Sequence, residues 1–422
     1  MPKFIHIYYY IVLVAVLAQP CRAQRHEVLA DNLRTLLVEA GGDGNSLPVL
    51  TLGSGETLRI SFDDMTHEYR RYTYHIEHLT WDFRPTDELF DSEYVRTAAD
   101  EEVIEDYEES MNTVVNYTHY TLDFPNDRMQ PLVSGNYRLI ISTENDVDER
   151  EEVIRVYFSV LDPQATVALR ATTNTDVDWN ATHQQVEMEV DLRDLVVRDA
   201  ATEVKTVVLQ NRRWDNAAIN PAPTYTTAQR LIWKHCRALI FPAGNEFRSF
   251  ENISTRYPGM NIERVGWREP FYHAAVFPDA PRRNYLHMPD RNGQFVPATA
   301  DSPYPDTESE YVYTHFLLET DELPGQDIYI CGQWTHDRFL PGYQMHYDEE
   351  LQGYAASLFL KQGYYSYQYL AVPRQGKRAG QTAPAEGDFW QTENEYAAYV
   401  YYRRTGDRYW RLVGHTAPSF RP

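Results

Sequence analysis

The sequence predicts an all-β protein of about three immunoglobulin-like or early-set β-sandwiches in tandem, and three observations carry that expectation. Apolar and polar residues alternate with a period of two in many short runs, the spacing that turns one face of a strand to a core and the other to water. Aromatic residues make up 14% of the chain, chiefly through 32 tyrosines, and tyrosine suits half-buried pleated surfaces. No long stretch repeats apolar residues at helical spacing. The 422 residues leave room for about two to four domains of roughly 100–200 residues each.

The first 23 residues resemble a secretory signal peptide. Lys3 supplies the positive start and Ile7 to Ala18 the apolar run. Cys21-Arg22-Ala23 then forms a small-x-small site, so cleavage is expected between Ala23 and Gln24. The apolar run is too short for a bilayer span, and no later stretch could make one. Residues 1–23 carry Lys3 and Arg22 and no acid, so their removal takes the formal charge from −23 to −25. That charge excludes nucleic acid and anionic membrane surfaces as natural partners. Cys236 and Cys331 remain, in different expected units and with no spacing that signals a disulfide, so two free thiols are expected.

An N-terminal β-sandwich is expected over 24–162. Leu58, Ile60 and Phe62 alternate with polar neighbours, and Tyr72, Tyr74 and Ile76 repeat the pattern. Ser134-Gly135-Asn136 makes a turn before a strand at 137–142. Ile154, Val156, Phe158 and Val160 then share one face of the next strand, and Asp162-Pro163 closes the unit. The acidic segment 100–110, with Val103, Ile104 and Tyr107, suggests one or two helical turns.

A central β-rich domain is expected over 163–305. Its clearest strand is 186–192, where Val186, Met188, Val190 and Leu192 alternate with acids. The Pro- and acid-rich stretch 297–309 reads as a linker. A C-terminal early-set-like β-sandwich is expected over 306–422. Ile328 and Ile330 mark one strand; Tyr365, Tyr367 and Tyr369 mark one face of another. The Gly-, Ala- and Pro-rich segment 373–389 reads as a mobile loop, and Thr405-Gly406-Asp407 as the turn of a closing hairpin.

Candidate chemistry is sparse. His75 and His78, three apart on a strand, point to opposite faces and cannot share a metal. Glu101, Glu102, Glu105, Asp106, Glu108 and Glu109 lack the order of a calcium loop and read as a solvated face. Asp63 and Asp64 are adjacent carboxylates, whereas glycoside cleavage needs two facing each other across a cleft. No nucleophile elbow, zinc-protease motif or phosphate loop is present. Catalytic residues, metal and cofactor are therefore expected to be none. Trp334 in a loop, with Tyr343, is the weak candidate for partner contact or for stacking on a sugar, against an ordinary core role. A carbohydrate-binding protein with a glycogen-binding-like module is the alternative reading. A polysaccharide hydrolase is a more distant one.

Several stretches in order carry a family resemblance. They are Leu58-Arg-Ile-Ser-Phe-Asp-Asp64, Tyr74-His-Ile-Glu-His78 with Trp81, Tyr117-Thr-His-Tyr120, Phe124-Pro-Asn126 and Ser134-Gly-Asn-Tyr137. Next come Gln210-Asn211 with Trp214-Asp-Asn216, and Phe241-Pro-Ala-Gly-Asn-Glu-Phe-Arg248. Leu360-Lys-Gln-Gly-Tyr-Tyr365 and Gln391-Thr-Glu-Asn-Glu-Tyr396 complete the set. Together they resemble the type IX secretion system plug protein family of Bacteroidota, across nearly the whole mature chain. One departure is Leu79, where the family pattern has a Cys. The resemblance implies a non-enzymatic periplasmic protein, monomeric by itself. It also implies one partner, the very large outer-membrane β-barrel translocon, whose periplasmic opening the family closes.

Overall fold

The computed structural model describes residues 25–41, 46–144 and 149–422. The expected signal peptide, with its cleavage site at Ala23 and Gln24, lies outside the described residues. Among the described residues nearly every regular element is a strand. The α-helices are single turns, Asp91–Tyr94, Ala200–Glu203 and Pro305–Glu308.

The first unit packs two sheets face to face. One has the order Leu33–Ala40, Leu58–Asp64, Thr118–Phe124, Asp106–Glu109; the other contains Tyr72–Leu79, Gly135–Glu144 and Arg150–Leu161. The alternating residues of both sheets meet between them, with Phe62, Tyr72, Tyr120, Phe124, Tyr137 and Phe158 fully buried. Each such ring contributes about 1.5–3 kcal/mol by leaving water.

The second of these sheets continues beyond the unit. Arg150–Leu161 runs parallel to Arg411–Thr416, meeting it at Leu161 and Leu412. From there the order is Asn394–Tyr402, Val204–Gln210 and Arg213–Ile219, giving one 11-stranded sheet. Over its middle lies a five-stranded sheet that includes Thr166–Thr172, His183–Asp191 and Arg230–Trp233. Val186, Met188, Trp233, Phe241, Tyr396 and Val400 fill the space between.

The third body is a nine-stranded sheet. Eight strands run in the order Arg248–Glu251, Gly363–Pro373, Gln326–Cys331, Gln344–Asp348, Gly353–Lys361, Tyr311–Glu319, Phe271–Val276, Ile262–Arg268, and the ninth, Phe295–Pro297, pairs beside Gly363–Pro373. It curls over one core, so that Phe250 at one end lies edge-on to Phe316 near the other, centroids 5.5 Å apart.

The all-β expectation holds, but the pairing does not follow the expected division between 163–305 and 306–422. Arg248–Glu251, Ile262–Arg268 and Phe271–Val276 join the sheet of the later segment. Asn394–Tyr402 and Arg411–Thr416 leave it for the sheet of the central one. Alternation fixes which face of a strand is buried, not which strand lies beside it. Segment 100–110 also differs. It forms the strands Glu102–Val103 and Asp106–Glu109, because Ile104 enters the core and Tyr107 lies opposite Tyr120. The stretch 373–389 is exposed over 374–378, but its later part is packed: Thr382, Ala385 and Glu386 are buried.

Candidate partner-binding site

Strand Gln326–Cys331 ends in the turn Gln333–Thr335, which carries Trp334. The turn points the indole inward. Its Nε1 donates to the Ser366 carbonyl at 3.1 Å, and the ring stands edge-on to Tyr365 and Tyr343, with centroids 5.2 and 5.8 Å away. Trp334 is 8% exposed and Tyr343 half-buried. A sugar platform needs a flat ring open to solvent, and this pair belongs instead to the core of the third sheet. Tyr365, Tyr367, Tyr369, Tyr396, Tyr399 and Tyr401 are likewise core and cross-strand partners.

Behind Trp334 a cavity of about 130 Å³ opens where all three bodies meet, lined by His26, Leu36, Trp214, Phe295, Trp334 and Asp337 among others. Its polar wall is a buried charge group. Arg213 donates from Nε and Nη2 to Asp215 at 3.0 and 2.7 Å. Asp337 accepts from the Trp214 amide at 2.5 Å, and Arg25 Nε lies 3.4 Å from it. Burial and then Asp215 push the Asp337 carboxyl up to about 7. Burial takes His26 down to about 3 and His336 down to about 4, so both rings are neutral at pH 7.

The stretches that carry the family resemblance converge on such junctions. Asp63 accepts from His119 Nδ1 and from the Tyr311 hydroxyl, both at 2.6 Å, and from Lys361 Nζ at 2.7 Å. Lys361 also donates to the Asp306 carbonyl at 2.6 Å and lies 4.3 Å from the Tyr117 ring centroid. Burial alone would raise Asp63, but Lys361 and His119 outweigh it and hold the carboxyl below its usual range. This cluster joins the first unit to the nine-stranded sheet.

A second hub closes the central sandwich. Asn394 Nδ2 donates to Gln184 Oε1 and to the Ala243 carbonyl, both at 2.9 Å, and its Oδ1 accepts from Asn211 at 2.7 Å. A third lies under segment 373–389. There Glu386 accepts from Arg248, from Arg282 and from the Tyr369 amide. Asn136 ties the first unit to the C-terminal strands, accepting from Ser159 at 2.8 Å and Tyr401 at 3.0 Å. The motif side chains thus hold strands and bodies together.

The remaining candidates fall apart in space. Asp64 turns away from Asp63, accepting from Asn32 at 2.7 Å and from Tyr72 at 2.8 Å. His78 is buried between Thr86 and Ser134, while His75 faces Arg150. Among the described residues no group of three His, Cys, Asp or Glu could hold a metal ion. Cys236 and Cys331 are both free. No helix among the described residues is long and apolar enough to cross a membrane. What sequence reasoning missed is that the exposed aromatics lie elsewhere, Phe90, Trp179 and Trp267 among them. The only available signal for Trp267 was a run with no continuous apolar face.

These features define a multi-sheet β protein whose motif residues are structural staples. The family model for the type 9 secretion system plug protein 1st domain matches residues 33–162. The crystal structure of a hypothetical protein from Parabacteroides merdae ATCC 43184 is 34% identical, covers 94% of this chain and 100% of its own, and superposes with a TM-score of 0.90. No curated protein matches. The chain belongs to the type IX secretion system plug protein family, a family of secretion-system components rather than of enzymes.

Proposed function

We propose that this protein is a periplasmic plug that binds the type IX outer-membrane translocon barrel and closes its periplasmic opening while no cargo is present. The match of the plug-family model to residues 33–162 carries the reading. The packing supports it. A plug must resist deformation across a wide opening, and the Asp63–Lys361 cluster, the Tyr401–Asn136 bond and the Trp214–Asp337 bond tie the three bodies to one another. A plug must also leave, so its contact should be moderate in area and exchangeable. Scattered exposed aromatics supply contact area at low entropic cost. The N-terminal signal sequence expected at 1–23 would deliver it to the periplasm, and it is monomeric before it meets the barrel.

The test is a mild-detergent pull-down of the tagged native protein from cell envelopes, with mass spectrometry of what accompanies it. Recovery of an outer-membrane barrel of exceptional size is expected. Absence of any such barrel, even after cross-linking, would remove the plug reading.

A further inference from the structure

One edge of the nine-stranded sheet is open. Ile262–Arg268 pairs with Phe271–Val276 and with no other strand among the described residues, so one side of its backbone is unsatisfied by the protein. Its register sets Gly266 opposite His273 and Arg268 opposite Phe271. Alternation therefore puts Arg264, Gly266 and Arg268 on the outer face, beside Phe271 and His273. That face continues inward as a row of rings. His273 stacks on Tyr313 at 5.4 Å and on His315 at 5.1 Å, and Tyr313 meets Phe359 at 4.7 Å.

Charge marks the same place. Arg264 and Arg268 pair with no carboxylate among the described residues, in a chain of formal charge −23. They border a hollow of about 250 Å³ with His273 and His315. Burial, His273, Arg264 and Arg268 all push His315 down, which places the four groups within reach of one another. Large apolar groups stand open around the edge: Met260 at 42%, Trp267 at 52% and Phe277 at 53% exposure. A side chain built at Gly266 would meet nothing within 4 Å, so the space above it is empty.

Arginines on an edge are the ordinary guard against strand pairing. They repel basic strands, but they admit an acidic one. We infer that the edge Ile262–Arg268 is a docking strand for an extended acidic segment of a partner protein. The segment adds to the sheet with carboxylates beside Arg264 and Arg268 and a flat side chain over Gly266. The spacing sets the pattern of that segment. Arg264 and Arg268 are four residues apart, about 13 Å along a strand, so the acids stand at positions i and i+4 with an aromatic at i+2. The identity of the donor rests on the plug reading, in which the translocon supplies it; the surface itself does not.

Two measurements on the full chain separate these claims. In the first, the probe is a fluorescently labelled cyclic hairpin peptide with glutamate, tyrosine and glutamate at alternate positions of its free strand. Saturable binding is expected at low ionic strength, weakening with salt and falling about tenfold or more in R264E/R268E. R264A/R268A serves if the reversal disturbs folding, and near-unchanged melting is expected because both side chains are exposed. No binding, or equal binding by the variants or by a hairpin with its acids moved to the other face, overturns the inference. So does self-association of the wild type that R264E/R268E abolishes, since the edge then serves a second copy. In the second, R264E/R268E is carried through the envelope pull-down. Reduced barrel recovery supports the translocon as donor, and undiminished recovery overturns that assignment. A wild type that recovers no barrel fails the plug reading alone, and the peptide still decides the surface.

Discussion

Lys361 is the residue on which the junction between the first unit and the nine-stranded sheet turns. Its side chain is 1% exposed and its partner Asp63 is 0% exposed. Removing one member leaves the other charge buried, which costs far more than removing both. K361A is expected to lose about 3–5 kcal/mol of stability in urea unfolding, and D63N/K361M to recover most of that loss. Asp337 offers a second test. Its folded pKa of about 7 lies above the unfolded value of 3.8, so its contribution is fully present below pH 3.8 and is lost as pH rises toward 7. His26 and His336, at about 3 and about 4 against 6.5, act with the opposite sign: their contribution is present above 6.5 and lost on acidification. In the wild type the two trends offset. D337N removes one of them, so its stability should climb more steeply than wild type between pH 4 and 6.5 in urea midpoints. Parallel profiles would refute the assignment.

At the scale of the element, strand Gly135–Glu144 starts from a glycine that nothing else can replace. Gly135 has φ of 144°, and a Cβ there would meet His78 Nε2 at 2.4 Å and the Trp410 carbonyl at 3.0 Å. G135A should cost about 1–3 kcal/mol, read as a fall in melting temperature. Most strands were legible from alternation. Leu58–Asp64, Tyr72–Leu79, Arg150–Leu161 and His183–Asp191 stand where the period of two put them. What alternation could not convey is partnership: nothing in 394–402 names Val204–Gln210 as its neighbour. Loop aromatics misled for a related reason. A tryptophan outside a strand looks free, yet the turn at Gln333–Thr335 buries Trp334 by aiming its N–H at Ser366. The polar motif residues were visible but mute, because Asp63, Lys361 and Asn394 acquire meaning only from partners far away in sequence.

For the whole molecule, the hubs predict a single cooperative unfolding event. Far-ultraviolet circular dichroism and tryptophan fluorescence should report coincident transitions in the wild type. In D63N/K361M, with the ionic link removed, the first unit is expected to unfold at a different denaturant concentration from the rest. Coincidence in both proteins would mean that the continuous 11-stranded sheet, not the ion cluster, couples them.

The late return of Asn394–Tyr402 to a place beside Val204–Gln210 also imposes an order on assembly. The central sandwich cannot shut until Asn394–Tyr402 has been made, some 150 residues after Ile240–Pro242, the last of its earlier strands. A product cut anywhere before residue 394 keeps Val204–Gln210 as a raw edge and leaves Val186, Met188 and Trp233 without Tyr396 and Val400 to cover them. Such a fragment is open to proteolysis along its own middle. The topology therefore acts as an inspection step: only a chain carrying its last strands presents a sealed body.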